Sequence, residues 1–172
     1  MYLYDLIGKR VRVNNEGPES RTGRLLGVGW DHIAIDTKED GVVYYNLRHV
    51  KSIFESHGKD KDGPRDGRDL DREPQFIRAM NFMHLLRSMV NEKIQLNRGG
   101  PDKLVGKLVG FGPGFLVMEQ KNERMRVPLF HIKNVSVVDQ MTEQNQDQER
   151  KSYRNRGNNN SKGQKNKSRN RR

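Results

Sequence analysis

Residues 14–29 read NNEGPESRTGRLLGVG, and residues 97–112 read NRGGPDKLVGKLVGFG. At an offset of 83, Asn14, Gly17, Pro18, Gly23, Leu25, Gly27 and Gly29 fall on Asn97, Gly100, Pro101, Gly106, Leu108, Gly110 and Gly112. One residue is deleted later in the second copy, so the offset becomes 82, and Leu47, His49 and Lys51 fall on Leu129, His131 and Lys133. The repeat therefore covers 8–53 and 91–135. A unit written twice decides the architecture before any single residue does.

Working outward from the quoted stretch, each copy reads as short strands joined by turns. Val11 and Val13 alternate with Arg10, Arg12 and Asn14, the pattern of a half-buried strand. Gly17-Pro18 supplies turn chemistry, and GRLLGVG reads as an apolar strand whose glycines predict a bend or a close backbone approach. Ile33 and Ile35 share one face of the next strand, and Asp40-Gly41 is a hairpin signal. Val43, Tyr45 and Leu47 share a face in VVYYNL, a short turn follows at Arg48 and His49, and VKSI closes the unit. The second copy repeats the scheme through Ile94, Leu96, Leu108, Leu116, Met118, Met125, Val127 and Leu129. Pro128 in its fourth strand predicts an edge or bulged position.

A different pattern precedes the second copy. In PQFIRAMNFMHLLRSMV, Phe76, Met80, Met83, Leu86 and Val90 recur at spacings of three and four behind Pro74, which predicts an amphipathic helix over 74–90. YLYDLI offers a shorter version ahead of the first copy. A helix followed by five short, bent strands is the order of small open β-barrels. The expected fold class is thus mainly β: two tandem Sm-like or SH3-like open barrels, the second preceded by the helix, with a disordered basic C-terminal tail. Units of this size are marginal alone, so the copies are expected to share core or an interface.

The net charge of +11 belongs to the tail. Residues 150–172 hold ten Lys or Arg and no acid, and eleven less ten leaves +1 for residues 1–149. That tail has one aromatic and no aliphatic side chain, too little apolar surface to offset its ordering entropy. A second break, SHGKDKDGPRDGRDLDRE, has five basic and six acidic residues and reads as a solvated linker. The expected divisions are a first repeat over 1–55, a linker over 56–73, helix and second repeat over 74–138, and the tail over 139–172.

Chemistry is sparse. Cysteine is absent, which excludes a thiol nucleophile, a disulfide framework and Cys-ligated metal. His32, His49, His57, His84 and His131 include no helical i, i+4 pair, and no HxE or ExxH stands nearby, so no metal and no cofactor is expected. GFGPGF lacks the spacing of a phosphate-binding loop and is followed by a strand pattern. Asp36, Glu39, Asp40 and Glu119 lie on or beside hairpin turns, where solvated charge is the default, and no acid-base pair is predicted. The expectation is a protein that is not an enzyme. MYLYDLIGKR has neither the basic start nor the apolar length of a secretory signal, and no segment approaches the roughly 20 apolar residues that span a bilayer, so no membrane insertion is expected.

EGPESRTGRLLGVG, EDGVVYYNLRHVKSI, NRGGPDKLVGKLV and PLFHIKNVSVV resemble the repeated domain of the spore coat protein B family of endospore-forming bacilli, over about residues 1–138. The resemblance implies a structural coat component, made in the mother-cell cytoplasm, deposited on the forespore surface and contacting other spore coat proteins. Members of the family it resembles can carry long Ser-, Lys- and Arg-rich repeats in the tail, targets for phosphorylation, and this tail departs from them. It is short and Asn-rich, and Ser152, Ser161 and Ser168 are its serines.

A rival reading is an RNA-binding Sm-like protein, with turn residues and the basic tail contacting phosphates. The near-neutral body and the two-copy design weigh against nucleic acid. Candidate interaction residues are Tyr44, expected to face outward on an unpaired strand edge open to self-association, and Arg48, His49 and His131 in the matching turns. Pro128 is expected to block the corresponding edge of the second copy. Candidate cross-linking residues are Gln144, Gln146, Gln148, Lys162 and Lys165, on a segment flexible enough to enter an isopeptide-forming enzyme.

Overall fold

The computed structural model describes residues 2–55, 74–99 and 102–138. The expected linker, the expected tail with its cross-linking candidates, and the Gly100-Pro101 turn lie outside the described residues. Strands β1 (Arg10–Val13), β2 (Arg21–Val28), β3 (His32–Thr37), β4 (Gly41–Asn46) and β5 (Ile53–Glu55) form the first half. Helix α1 (Phe82–Ser88) leads into β6 (Lys93–Leu96), β7 (Leu104–Gly112), β8 (Phe115–Gln120), β9 (Glu123–Pro128) and β10 (Asn134–Val137). The chain is mainly β, and all ten strands belong to one antiparallel sheet ordered β5-β1-β2-β3-β4-β10-β6-β7-β8-β9.

The order is the same in each half: the fifth strand pairs with the first, and the second, third and fourth follow. Local detail matches too. Between β2 and β3 the register shifts at Leu25/Gly27, and between β7 and β8 it shifts at Leu108/Gly110. An extra residue at such a bulge bends the long second strand, which lets it pair with both neighbours. Gly23 and Gly106 stand where a side chain would run into the Asp36 and Glu119 carbonyls of the adjacent strand, so glycine there permits the close approach. Asn14 and Asn97 both adopt positive φ, 60° and 51°, at the end of β1 and of β6. Each amide side chain then accepts a hydrogen bond from the backbone N–H of Lys51 or Lys133 at 2.9 Å.

Period-two alternation fills two cores. Val11, Val13, Leu25, Ile33, Ile35, Val43 and Tyr45 form the first. The second contains Ile94, Leu96, Leu108, Leu116, Met118 and Val135, and it also takes in Ala34 and Tyr44 from the first half. Full burial of one such aliphatic side chain is worth about 1.5–3 kcal/mol. Because neighbouring residues of β4 face opposite ways, Val43 and Tyr45 serve the first core and Tyr44 the second.

The expectation of a helix over 74–90 needs correction. α1 begins only after Asn81, whose side chain accepts from the His84 N–H at 2.9 Å and caps it. Its buried face is Phe82, Leu85 and Leu86, followed by Met89, whereas Met80 is exposed. Residues 76–80 instead lie on the first half: the Phe76 ring rests over Gly27, the Ile77 N–H donates to the Tyr44 hydroxyl at 2.7 Å, and the Trp30 N–H donates to the Met80 carbonyl at 3.1 Å. The Phe82 N–H donates to the Asp31 carboxylate at 2.6 Å, which fixes the helix start against the β2–β3 turn.

Candidate functional site

The place where the two halves meet concentrates the buried polar chemistry of the molecule. β4 lies antiparallel to β10, with Tyr44 opposite Val135 and Tyr45 opposite Asn134. The Asn46 N–H donates to the Lys133 carbonyl at 2.9 Å, and its side-chain amide donates to the Ile132 carbonyl at 3.2 Å. The first of these bonds joins the halves through backbone and depends little on side-chain identity, whereas the second needs the Asn46 amide.

Side chains supply the specificity. Arg98 is 2% exposed and follows Asn97 out of β6. Its backbone N–H donates to the Asn134 side chain at 2.8 Å, its Nε to Ser136 Oγ at 2.6 Å and its Nη1 to Asp40 Oδ1 at 2.6 Å. The other Asp40 oxygen accepts from Arg21 Nε at 2.6 Å, so one carboxylate bridges two guanidinium groups from different halves. Beside it the Tyr45 hydroxyl donates to the Glu19 carbonyl at 3.0 Å, and Lys133 Nζ reaches the Glu19 carboxylate at 2.5 Å.

The electrostatics follow from this packing. Burial pulls the Arg98 pKa down, and the adjacent Asp40 carboxylate opposes that shift. Burial pushes Tyr45 well above the ordinary phenol range and also raises Tyr44, where the hydrogen bond from Ile77 acts the other way. Lys133 is raised chiefly by its hydrogen bond to Glu19. A buried arginine held by two acceptors is costly to leave unpaired, so the seam selects one register between the halves.

Two expectations about residues change here. Tyr44 does not face solvent: it is 3% exposed, and the β4 edge it was expected to offer is covered by β10. The side chain does point away from the first core, but residues 76–89 arrive to cover that face. Asp40 is likewise not a solvated turn carboxylate, since its side chain is 11% exposed and ion-paired twice. Arg98 was missed altogether. The available signal was a mismatch between the copies, because Arg98 occupies the place that Asn15 has in the first.

Arg48 is exposed and His49 half-buried on the turn Leu47–His49, and His131 is exposed on the matching turn Leu129–His131. The structure brings both histidines to one ring, Phe130, whose centroid lies 5.7 Å from His49 and 5.4 Å from His131, edge-on to each. Phe130 is 71% exposed, and His49 Nε2 is buried without a hydrogen-bond partner. A separate cleft of about 360 Å³ is lined by Leu26, Gly27, Ala34, Phe76, Ile77 and Arg78, with the Arg78 guanidinium 5.3 Å from the Phe76 ring centroid. Near it the Trp30 side chain is exposed. Among the described residues no group of three or more His, Asp or Glu could hold a metal ion, and no helix is long and apolar enough to cross a membrane. What the arrangement offers is an exposed aromatic ring between two histidines, a cleft beside Phe76 and a charge-locked seam.

Comparison with known proteins gives one informative relationship. The chain is 37% identical over 136 residues to spore coat protein B of Bacillus subtilis (strain 168), an alignment covering 77% of this chain and 33% of that protein. The chain thus spans about a third of the length of the curated relative it matches. No family model matches it, and no solved structure does.

Proposed function

The chain belongs to the spore coat protein B family, and from that premise we propose that it is a structural component of the bacterial spore coat. In this reading it is made in the mother-cell cytoplasm and assembles on the forespore surface through contacts with other coat proteins. The observation that carries the reading is the 37% identity over 136 residues to a protein named for that location. A sheet whose halves are locked by a buried ion pair suits a building block better than a catalyst that must open and close. We also propose that each half is a small open barrel of the Sm-like kind, with divisions at 1–55 and 74–138. The shared strand order and the matching bulges support this.

The test is the position of a fluorescent fusion in sporulating cells. Coat assembly predicts a ring around the forespore. Diffuse fluorescence throughout the mother cell, as an RNA-binding protein would give, overturns the proposal.

A further inference from the structure

We propose that this chain associates head to tail with a second copy of itself, β9 of one molecule pairing with β5 of the next. The argument starts from the internal seam. There the fourth strand of one half, β4, accepts the fifth strand of the other, β10, with Tyr44 opposite Val135. Among the described residues, β5 and β9 are the two strands left at the ends of the sheet. They are the fifth strand of the first half and the fourth strand of the second, the same two roles that meet inside the chain. Applying the internal operation once more therefore brings β9 against the β5 of a second molecule.

Register makes this specific. At the offset of 82, Tyr44 becomes Arg126 and Val135 becomes Ile53, which sets Arg126 opposite Ile53. Continuing antiparallel sets Met125 opposite Phe54 and Arg124 opposite Glu55. The first pairing covers Phe54, an aromatic ring left 40% exposed on an end strand. The second places opposite charges across the joint on one face of the sheet, a favourable cross-strand pair. Glu55 now holds Lys9, and Arg124 holds Glu119, each at 2.6 Å on the surface. Neither partner is buried, so both charges are available for exchange.

The same alignment says how this joint differs from the internal one. Pro128 stands where Asn46 donates its N–H to Lys133, so one backbone bond is missing. Asn15 and Asn122 stand where the internal seam has Arg98 and Asp40, so no buried ion pair locks it. Pro128 is the last residue of β9 and leaves 124–126 free to pair. The contact is consequently reversible and concentration-dependent, while the internal seam is permanent. Its two surfaces are different, so it propagates as a ring or an open filament.

This deepens the coat reading by naming a partner, yet the two fail separately, because association is read on pure protein and location in cells. The experiment is sedimentation velocity of the full chain over a wide concentration range, with circular dichroism confirming that each variant folds. The expected result is a concentration-dependent series of oligomers. Glu55→Arg or Arg124→Glu alone should weaken association about tenfold by placing like charges across the joint. The two together should return it to within about threefold of the parent, since the pair is restored in reverse. Pro128→Asn, which returns the missing donor, should tighten it. A chain that stays monomeric throughout overturns the proposal. So does association indifferent to all three changes, as attraction through residues outside the two strands would produce.

Discussion

Replacing Asp40 by Asn tests whether the seam is held by charge. The change keeps side-chain shape, and Asn-Gly forms the same hairpin turn as Asp-Gly, so the local chain is undisturbed. What is lost is the carboxylate that accepts from Arg98 Nη1 and Arg21 Nε, each at 2.6 Å. Arg21 is partly exposed and can turn to water, but the Arg98 side chain is 3% exposed and cannot. Breaking a buried pair from one side costs about 3–5 kcal/mol, and the amide oxygen that remains places Asp40→Asn near the low end, about 3 kcal/mol. With a urea slope of about 1.5 kcal/mol per molar, the unfolding midpoint of the full chain should fall by about 2 M. Arg98→Met removes the buried charge instead of stranding it, leaves Asp40 with Arg21, and should cost about half as much. In the double variant nothing charged remains buried at the seam, so its loss should fall short of the sum of the single losses by about 2 kcal/mol. An Asp40→Asn midpoint within about 0.5 M of the parent, or losses that simply add, would refute the reasoning.

Three further outcomes follow from the same geometry. Asn97→Ala should cost about 2–4 kcal/mol in chemical denaturation, because it puts alanine at a φ of 51° and removes the side chain that bonds the Lys133 N–H and the His131 carbonyl. Gly27→Ala places a methyl 2.8 Å from the Phe76 ring and should destabilise by about 1–2 kcal/mol, while Gly110→Ala, with nothing within 4 Å of the new methyl, should stay within about 0.5 kcal/mol; equal effects would contradict the docking of 76–80 on the first half. Raising pH should unfold the protein. Tyr44, Tyr45 and Lys133 have folded pKa values above their ordinary 10.0 and 10.5, so the native state holds protons that the unfolded chain releases. Their contribution is intact below about pH 10 and declines above it, and tyrosinate absorbance should rise together with loss of the folded circular dichroism signal. Tyrosinate formation at Tyr44 and Tyr45 without unfolding would count against this.

How much of this was legible beforehand depends on the range over which each cause acts. Alternation is local, so Val11, Val13, Ile33, Ile35, Val43 and Tyr45 could be assigned to a core from their spacing. Glycine chemistry is also local: Gly23 and Gly106 allow a close strand approach that any copy of the phrase needs. The helix boundary was less legible, because spacing alone does not distinguish apolar residues of a helix from those of an extended segment packed on another strand. Asn81 decides it by capping, and Phe76 is drawn to Gly27 instead.

The sequence by itself determined that the chain is mainly β, carries one phrase twice and holds its excess charge at the C-terminal end, since repeated phrases, period-two patterns and composition are properties of neighbours along the chain. Tertiary structure alone decided which edges meet. Tyr44 pointed away from its own core by alternation, and only the arrival of α1 and β10 made that direction a second interior. Asp40 and Arg98 are 58 residues apart and each is unremarkable in its turn. They become a lock because β4 and β10 pair and exclude water from Arg98 and from most of Asp40, and desolvation is a property of the assembled fold that no local pattern encodes.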